Sequence, residues 1–459
     1  MSKTLRAWLL FLIFLNGYVS LSLELIVIRQ LSFYVGSSAV ITSIIIGTFL
    51  GFMSVGYFRG AARKTPKKNI RKILFGSFLV IAAMTVLAAS FTLVSSYFGL
   101  MYGFKIHSGI VQTFIYSLVF LSAAPFLFGF NTAMLSRYLH KYNSNYTGNI
   151  MAWDTIGSVL GSLATTLLLM PFIGVNYTII LITVLSLAGA FIARPGLKNL
   201  IIFAVILIPA CFINGDSFLM RQHRIIVNNA NSTIQIWNAG DEKVLVMNGI
   251  PMSIYNKVEG KSAEYINFIN TNFIYNMPKD SPRDILVLGA GGFTAGLADG
   301  FNNYTFVDIE KTLKKISEKN FLEKNLTPNK RFVVQDASQF LKNIGKKYDL
   351  IILDVYSNSF QVPEDLITAE FMERIKACVK SGGIMIMNMI SSPGFGDRYT
   401  QVFDNTFHHV FKKNISRQVI GNFNPYHKSA ANVIYIWYNK PNDDRVYTIN
   451  KTPVIYDRY

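Results

Sequence analysis

Long apolar runs fill the first half of this sequence and constrain its fold more than any other feature. Seven runs lie before Asp216, and most approach or exceed the length of about 18 apolar residues that spans a bilayer. They cover residues 7–28, 39–58, 73–94, 109–135, 156–173, 177–193 and 200–213. The last run is short and contains Pro209, so three arrangements stay open: it crosses the membrane, forms a re-entrant segment or lies at the membrane interface. We predict a multi-pass helical membrane domain over residues 1–215, with six to seven helices.

Charged residues are scarce in this half, and nearly all of them are basic. The acids are only Glu24, Asp154 and Asp216, against fifteen lysines and arginines. Seven of these form one loop: Arg59, Arg63, Lys64, Lys67, Lys68, Arg71 and Lys72. Basic loops stay in the cytoplasm, and alternation from this loop places the amino terminus there too. This half carries twelve units of the net charge of +18, so most of that charge reflects orientation in a lipid bilayer, and we expect no nucleic-acid partner.

A few polar residues lie inside the apolar runs. Ionisable groups at membrane depth are costly and indicate function by default, which makes Glu24 and Asp154 candidates. Alternatively, Glu24 pairs with Arg29 or lies at the headgroup level. Two glycine pairs, Gly47 with Gly51 and Gly157 with Gly161, have the four-residue spacing that predicts close helix packing.

After Asp216 the pattern changes to short strands, turns and alternating strands and helices. Strands at 224–228, 233–237 and 243–247, with an Asn248-Gly249 turn, and an amphipathic helix at 259–276 predict a small β-hairpin subdomain with one helix over residues 216–276. Over residues 277–459 the alternation predicts an α/β Rossmann-like domain of the methyltransferase type. We expect a helix after Gly292 and no metal site, since two cysteines exclude a cysteine-rich zinc module.

Four sites at the predicted carboxyl ends of strands in this domain share one edge of the sheet, where open parallel sheets bind ligands. They are the loop Gly289-Ala290-Gly291-Gly292 and the acids Asp308, Asp336 and Asp354. Asp308 follows Gly289 at about the spacing at which an acid binds a ribose. Thr294 interrupts the glycine spacing typical of dinucleotide binding, so the pattern favours an S-adenosyl ligand over NAD.

Several strings are similar to one enzyme family. They are Glu264-Tyr265, Gln335-Asp336-Ala337, Tyr348-Asp349-Leu350-Ile351-Ile352-Leu353-Asp354 and, most specifically, Val362-Pro363-Glu364-Asp365-Leu366-Ile367-Thr368-Ala369-Glu370-Phe371. The sequence over roughly residues 225–389 thereby resembles the spermidine synthase (polyamine aminopropyltransferase) family. Ser22-Leu23-Glu24-Leu25 and the segment 154–161 resemble the membrane region of spermidine synthase-like proteins fused to transmembrane helices.

The resemblance implies transfer of an aminopropyl group from decarboxylated S-adenosylmethionine to a diamine, putrescine to spermidine, with release of methylthioadenosine and no tightly bound cofactor. Asp354 would be catalytic. The co-substrate would contact Gly289, Gly291, Asp308 at the ribose, Asp336 and Ala337 at the adenine edge, Pro363 at its face, and Ser232. The acceptor would contact Asp354, Ser357, Glu264 and Gly292.

The acceptor side departs from the family pattern. Family enzymes have an acid where this chain has Ser357, an Asp where it has Gly292, and a Tyr-His-Glu triplet where it has Ser262-Ala263-Glu264. Losing one charged hydrogen bond costs about 1.5–3 kcal/mol. The nucleoside side is therefore predicted with more support than putrescine as the acceptor.

Three hypotheses follow for the function. The chain is a membrane-bound aminopropyltransferase, an S-adenosylmethionine-dependent transferase acting on a lipid or other membrane acceptor, or a polyamine transporter or sensor that uses Glu24 and Asp154. We expect a multi-pass protein of the bacterial inner membrane, and a homodimer remains open. Seven spans would place the α/β domain outside and six would place it in the cytoplasm, where the sulfonium donor is made, so we expect a cytoplasmic domain.

Overall fold

The computed structural model describes residues 3–36, 38–63, 67–142, 145–342, 344–356, 362–421 and 430–441. The chain divides into two compact units. The helical unit comprises Met1–Asn238 and Val244–Met252, and the α/β unit comprises Ala239–Lys243 and Ser253–Tyr459. The predicted division after residues 215 and 276 stays a prediction.

The helical unit is built mainly from apolar helices that follow the predicted runs. They are α1 (Lys3–Val35), α2 (Ala39–Ala62), α3 (Lys67–Ala89), α4 (Phe91–Gly103), α5 (Gly109–Phe120), α6 (Ala123–His140), α7 (Tyr146–Leu163), α8 (Met170–Ala193), α9 (Leu197–Ile213) and α10 (Asp216–His223). A π-helical segment, Ala164–Leu169, joins α7 to α8.

Four helices among the described residues are long and apolar enough to cross a membrane, or up to six if each of two bent pairs is one span. The bent pairs are α5 with α6, at 49°, and α9 with α10, at 52°. One of the four helices runs over 48 residues, Tyr146–Ala193. Gly174 breaks it, with φ of 83° and ψ of 166°, so it contains the two separate runs predicted at 156–173 and 177–193.

Glycines bring two pairs of helices into close parallel contact. A Cβ on Gly157 would lie 2.0 Å from the carbonyl oxygen of Phe14, and one on Gly161 would lie 2.3 Å from that of Tyr18, which aligns α7 with α1. On α2, Gly56 approaches the Phe126 backbone of α6 in the same way. The packing role predicted for Gly157 and Gly161 is thus present.

The same role predicted for Gly47 and Gly51 is wrong. A Cβ at either position would meet no atom within 4 Å, whereas Gly56 and Gly60, farther along the same helix, face α6. Spacing alone does not show which face of a helix packs against a neighbour. On α2, the glycines that pack against α6 are Gly56 and Gly60.

Helix α9 runs parallel to α3 along its length. Near the start of α9, Phe203 lies against Phe75 of α3, with ring centroids 6.3 Å apart. Directly after α9, Asn214 Nδ2 donates to Ser90 Oγ at 2.9 Å, and Ser90 directly follows α3. The two helices therefore begin at one end of the helical unit and finish at the other.

The small sheet has five strands in sequential order: β1 (Ile225–Asn228), β2 (Thr233–Ala239), β3 (Glu242–Met247), β4 (Ile250–Asn256) and β5 (Lys261–Ser262). The tight turn predicted after β3 is confirmed, because Asn248 and Gly249 have φ of 51° and 80°. Strands β4 and β5 were not predicted. The helix expected over 259–276 is shorter, with α11 at Glu264–Ile269 followed by a π-helical turn, Asn270–Ile274.

The α/β unit contains a seven-stranded mixed sheet in the order β11-β12-β10-β9-β6-β7-β8. Its strands are β6 (Asp284–Leu288), β7 (Asn303–Asp308), β8 (Lys330–Val334), β9 (Tyr348–Leu353), β10 (Val379–Ser391), β11 (Ile415–Ile420) and β12 (Ala431–Tyr438). Strands β6 to β10 are parallel, and β12 is antiparallel to both its neighbours. The predicted methyltransferase-type α/β domain is confirmed.

The helices of this unit are α12 (Leu313–Ile316), α13 (Ala337–Lys342), α14 (Ala369–Ala377) and α15 (Arg398–Phe411), and a π-helical turn, Ser317–Phe321, extends α12. The helix expected after Gly292 is wrong. Phe293 and Gly296 both have φ of 60°, which a right-handed helix does not accept, so this segment forms turns.

Candidate active site

The carboxyl ends of four neighbouring strands carry the predicted acids and glycines. Strand β6 leads into Gly289, β7 ends at Asp308, β8 precedes Asp336 and β9 precedes Asp354. Pairing keeps these ends together, since Leu288 lies opposite both Val307 and Leu353. The sheet therefore brings the glycine loop and the acids to one edge, as predicted for an open parallel sheet.

The glycine loop touches two of these acids. Gly289 has φ of 92°, and a Cβ there would lie 2.1 Å from the carbonyl oxygen of Asp354. The next amide, Ala290 N, donates to Asp308 Oδ2 at 3.0 Å. Position 289 requires glycine for two reasons. Any other residue would be strained at this positive φ, and its Cβ would push the loop away from the Asp354 backbone that follows β9.

Asp308 is held by backbone amides on both oxygens. Oδ2 accepts from Ala290 N, and Oδ1 accepts from Glu310 N at 2.9 Å. Burial raises the pKa of Asp308, and these two hydrogen bonds act in the opposite direction. A carboxylate oxygen has about two acceptor sites, so each can take a further hydrogen bond from a ligand hydroxyl.

Asp354 is a partly buried carboxylate with two oriented donors. The Tyr265 hydroxyl donates to Oδ2 at 2.7 Å, and Asn388 Nδ2 donates to Oδ1 at 2.9 Å. Burial raises the pKa of Asp354, while the bonds from Asn388 and Tyr265 lower it. A carboxylate fixed in one rotamer, with a raised pKa, is suited to accept a proton.

Sequence reasoning gave no role to three residues around Asp354: Tyr265, Asn388 and Tyr356. The Tyr356 hydroxyl donates to the Asn388 carbonyl at 2.8 Å and accepts from Ile390 N at 3.1 Å. The signal was a polar residue, Asn388, inside the otherwise apolar stretch 384–390 of β10. Because Met387 pairs with Leu353, the next residues on the two strands, Asn388 and Asp354, lie side by side.

The remaining co-substrate candidates lie partly at this edge. Asp336 caps α13, with Oδ1 accepting from Gln339 N at 2.9 Å, and Ala337 behind it is buried. Gln335 N donates to the Asp308 carbonyl at 3.0 Å, which keeps Asp336 beside Asp308. Pro363 precedes the single turn Glu364–Leu366.

Ser232 is buried in the turn between β1 and β2, in the helical unit, where its amide donates to Asn229 Oδ1 at 2.9 Å. Its assignment to the co-substrate stays a prediction.

The acceptor-side candidates are less complete. Ser357 lies outside the described residues. Glu264 is exposed at the start of α11, and a Cβ on Gly421 would lie 3.2 Å from its Oε2. Gly292 donates its amide to Ser253 Oγ at 2.8 Å, and a Cβ there would lie 2.2 Å from the ring of Phe321. The space of the family's aspartate is thus filled by a phenylalanine ring.

Comparison with known proteins identifies this region. Residues 267–437 match the family described as Spermine/spermidine synthase domain. This part of the chain is a spermine/spermidine synthase domain. The synthase domain contains Asp308, Asp336, Asp354 and Asn388, whereas Glu264 and Tyr265 directly precede it. Among the described residues, no group of three or more His, Cys, Asp or Glu side chains could hold a metal ion.

Relatives of the synthase domain carry matching names. The chain is 23% identical over 407 residues to polyamine aminopropyltransferase 2 of Aquifex aeolicus, covering 82% of this chain and 77% of that protein. It is 27% identical over 161 residues to a polyamine aminopropyltransferase of Vibrio vulnificus, covering 34% of this chain and 52% of that protein. A solved spermidine synthase from Thermotoga maritima shares 15% identity at a TM-score of 0.36, over 47% of this chain and 73% of that one.

The chain spans about half the length of the Vibrio vulnificus protein. The Aquifex aeolicus match covers more residues than the α/β unit contains, so it extends into the helical unit.

Proposed function

We propose that this protein transfers an aminopropyl group from decarboxylated S-adenosylmethionine to an amine acceptor and releases methylthioadenosine. The observation that carries the proposal is the Asp354 carboxylate, which Tyr265 and Asn388 orient and which adjoins the glycine loop that contacts Asp308. The names of the synthase domain and its relatives support the same activity. In this proposal Asp308 binds the two ribose hydroxyls, and Asp336 and Ala337 face the adenine edge.

The reaction is a direct displacement at carbon. The lone pair of a neutral amine forms the new C–N bond, the C–S bond breaks, and its electron pair neutralises the sulfonium. The amine nitrogen then carries one surplus proton, which Asp354 accepts or passes to solvent. The protein has to place the amine in line with the C–S bond, which lowers the entropic part of the barrier.

The acceptor side of the site has fewer anionic groups than binding of a dication would require. The aspartate of the family's glycine loop is replaced by Gly292, and Phe321 occupies the space beside it. This observation favours an acceptor with a less charged distal end. A second candidate function is therefore an S-adenosylmethionine-dependent transfer to a lipid or other membrane acceptor, through the same nucleoside site.

Mass spectrometry of the products tests the proposal. Purified full-length protein is given either the decarboxylated or the carboxylated sulfonium, with putrescine, longer diamines or membrane lipids. We expect methylthioadenosine to form with the decarboxylated donor and only when an amine is present. S-adenosylhomocysteine formation would support the second candidate, and no product with any pair would refute both.

The helical unit is proposed to anchor the protein in a membrane. Large apolar side chains are exposed along its helices. The exposed fraction is 76% for Phe58 and Phe172 and 69% for Val205. Soluble monomers rarely expose contiguous apolar patches of more than a few hundred Å². Basic residues collect at one end, where Arg6 lies 4.5 Å from the ring centroid of Tyr146 and Arg71 lies 5.3 Å from that of Trp8.

The course of α9 favours the arrangement with seven spans. Since α9 passes Phe75 of α3 near its start and reaches Ser90 after its last residue, α9 ends at the end of the helical bundle opposite the basic residues. We expect a phosphatase fused after Tyr459 to be active in cells and a green fluorescent protein fused there to be dark. The reverse result would show that α9 does not cross and would restore the cytoplasmic expectation for the α/β domain.

Replacing Tyr265 with phenylalanine is expected to move the acid limb of the kcat/KM profile to higher pH. The carboxylate form of Asp354 is the active base, so activity falls as pH drops through its pKa. Removing the Tyr265 hydroxyl removes a donor that stabilises the carboxylate, so the pKa of Asp354 rises further. We also expect kcat at the plateau to fall by about tenfold.

Tyr304→Phe is the matched control for this profile. The Tyr304 hydroxyl also donates to a carboxylate, Asp299 Oδ2 at 2.6 Å, but at the other end of strand β7. Its removal is expected to lower stability and leave the acid limb unchanged. An equal shift in both variants would mean that Tyr265 acts only through stability.

A further inference from the structure

A polar cluster inside the helical unit lies outside the site described above. Asp154 of α7 contacts Asn16 of α1 and Thr132 of α6, and Asn131 of α6 contacts Asn16. Asn16, Asn131 and Thr132 are 2%, 1% and 5% exposed, while Asp154 remains partly accessible. Close packing of α1 on α7 forms the cluster, because a Cβ on Gly17 would lie 2.0 Å from the carbonyl oxygen of Asp154.

The cluster has too few hydrogen-bond donors for its acceptors. Asn16 Nδ2 lies 3.3 Å from each of three oxygens: Asp154 Oδ1, Thr132 Oγ1 and Phe128 O. The Thr132 hydroxyl lies 3.1 Å from Asp154 Oδ2 and 3.0 Å from Phe128 O. These five contacts share three hydrogens. Asn131 Nδ2 donates to Asn16 Oδ1 at 3.1 Å, but the buried Asn131 Oδ1 accepts no hydrogen bond.

Among the described residues, the side chains that hydrogen-bond to Asp154, those of Asn16 and Thr132, are neutral. Across the part of the chain that the structure describes, the ion pairs do not include this carboxylate. Burying an unpaired carboxylate is costly, so the site is suited to a ligand that brings both a positive charge and several donors.

We propose that this amine cluster, Asp154 with Asn16, Asn131 and Thr132, binds the ammonium group of a primary alkylamine. An ammonium has three N–H donors and no acceptor, so it can donate to the Asp154 carboxylate and to Asn131 Oδ1 together. An α-helix rises 1.5 Å per residue, so the cluster lies about 12–20 Å along α1, α6 and α7 from the basic ends of these helices. That depth is near the middle of a hydrocarbon core about 30 Å thick. The amine cluster is therefore a second amine site, separate from the synthase domain.

Equilibrium dialysis of radiolabelled putrescine against the full-length protein in detergent tests this site. We expect Asp154→Asn to bind one equivalent fewer per chain, or to bind it at least tenfold more weakly, than the unaltered protein. Asp216→Asn is the matched control, because it removes another acid of the helical unit, at an exposed position away from the amine cluster in sequence. The readout is the difference in bound putrescine between the two variants. This difference tests the amine cluster even if the synthase domain binds no putrescine.

Labelling of the unaltered protein gives a second readout that does not depend on a variant that folds. Dicyclohexylcarbodiimide, an apolar carboxyl reagent, is expected to label Asp154, and putrescine is expected to suppress that label at least severalfold. Equal binding by Asp154→Asn, or labelling that putrescine does not change, would overturn the proposal and leave a cluster that only fastens three helices. Displacement of putrescine by sodium chloride, but not by equimolar choline chloride, would overturn the amine assignment in favour of a sodium ion.

Discussion

Replacing Asp354 with asparagine is expected to lower kcat/KM by about 10²- to 10⁴-fold, the usual contribution of acid–base catalysis. Binding of methylthioadenosine should stay within about twofold, because the nucleoside contacts proposed for Asp308 and Asp336 are separate from this carboxylate. Single-turnover kinetics and calorimetric titration with methylthioadenosine measure the two quantities.

The substitution is compatible with the local structure. Asn388 Nδ2 donates to one Asp354 oxygen, and an asparagine oxygen would accept that bond unchanged. The new amide would then face the Tyr265 oxygen, which can accept where its hydroxyl formerly donated. The loss is therefore one of charge and basicity, with little change in packing.

Asp349→Asn is the control for this prediction. Asp349 lies near the opposite end of β9, where Oδ2 accepts from Lys380 Nζ at 2.7 Å and from Asp284 N at 2.8 Å. We expect a modest loss of stability and no change in kcat. A full rate for Asp354→Asn would exclude Asp354 as the base and would leave solvent to accept the proton.

The sequence predicted that the glycine loop and the acids share one edge of the sheet, because the information is local. Apolar strands that end in Asp308 and Asp354, and a glycine loop after β6, reach one edge wherever the strands are parallel. The hairpin turn at Asn248-Gly249 was equally local, since both residues favour positive φ.

The sequence did not predict features that depend on which elements are neighbours. Asn388 contacts Asp354 only because β10 pairs with β9 in one register. Gly47 and Gly51 have the same spacing as Gly56 and Gly60, and only the packing of α6 on α2 decides between them. The filled space at Gly292 likewise follows from Phe321, which is distant in sequence.

Asparagine at Asp308 is expected to weaken binding of methylthioadenosine by at least about tenfold, since hydrogen bonds to charged groups contribute about 1.5–3 kcal/mol each. Both carboxylate oxygens already accept backbone amides, from Ala290 and Glu310. The Nδ2 of asparagine donates and cannot accept, so it would face one of these N–H groups and would also lose the hydrogen bond from one ribose hydroxyl. KM for the sulfonium donor should rise accordingly, with a smaller effect on kcat.

Asp299→Asn separates this effect from a general loss of stability. Asp299 lies before β7, as Asp308 lies at its end, and its carboxylate accepts from Tyr304, Asn302 and the Phe301 amide. Asp299→Asn should lower the thermal unfolding midpoint and leave the dissociation constant of methylthioadenosine unchanged. If Asp308→Asn instead bound methylthioadenosine normally, the ribose would have to be held elsewhere at this edge. Because Asp308 also anchors the glycine loop through Ala290, unchanged binding would further show that this anchor is dispensable.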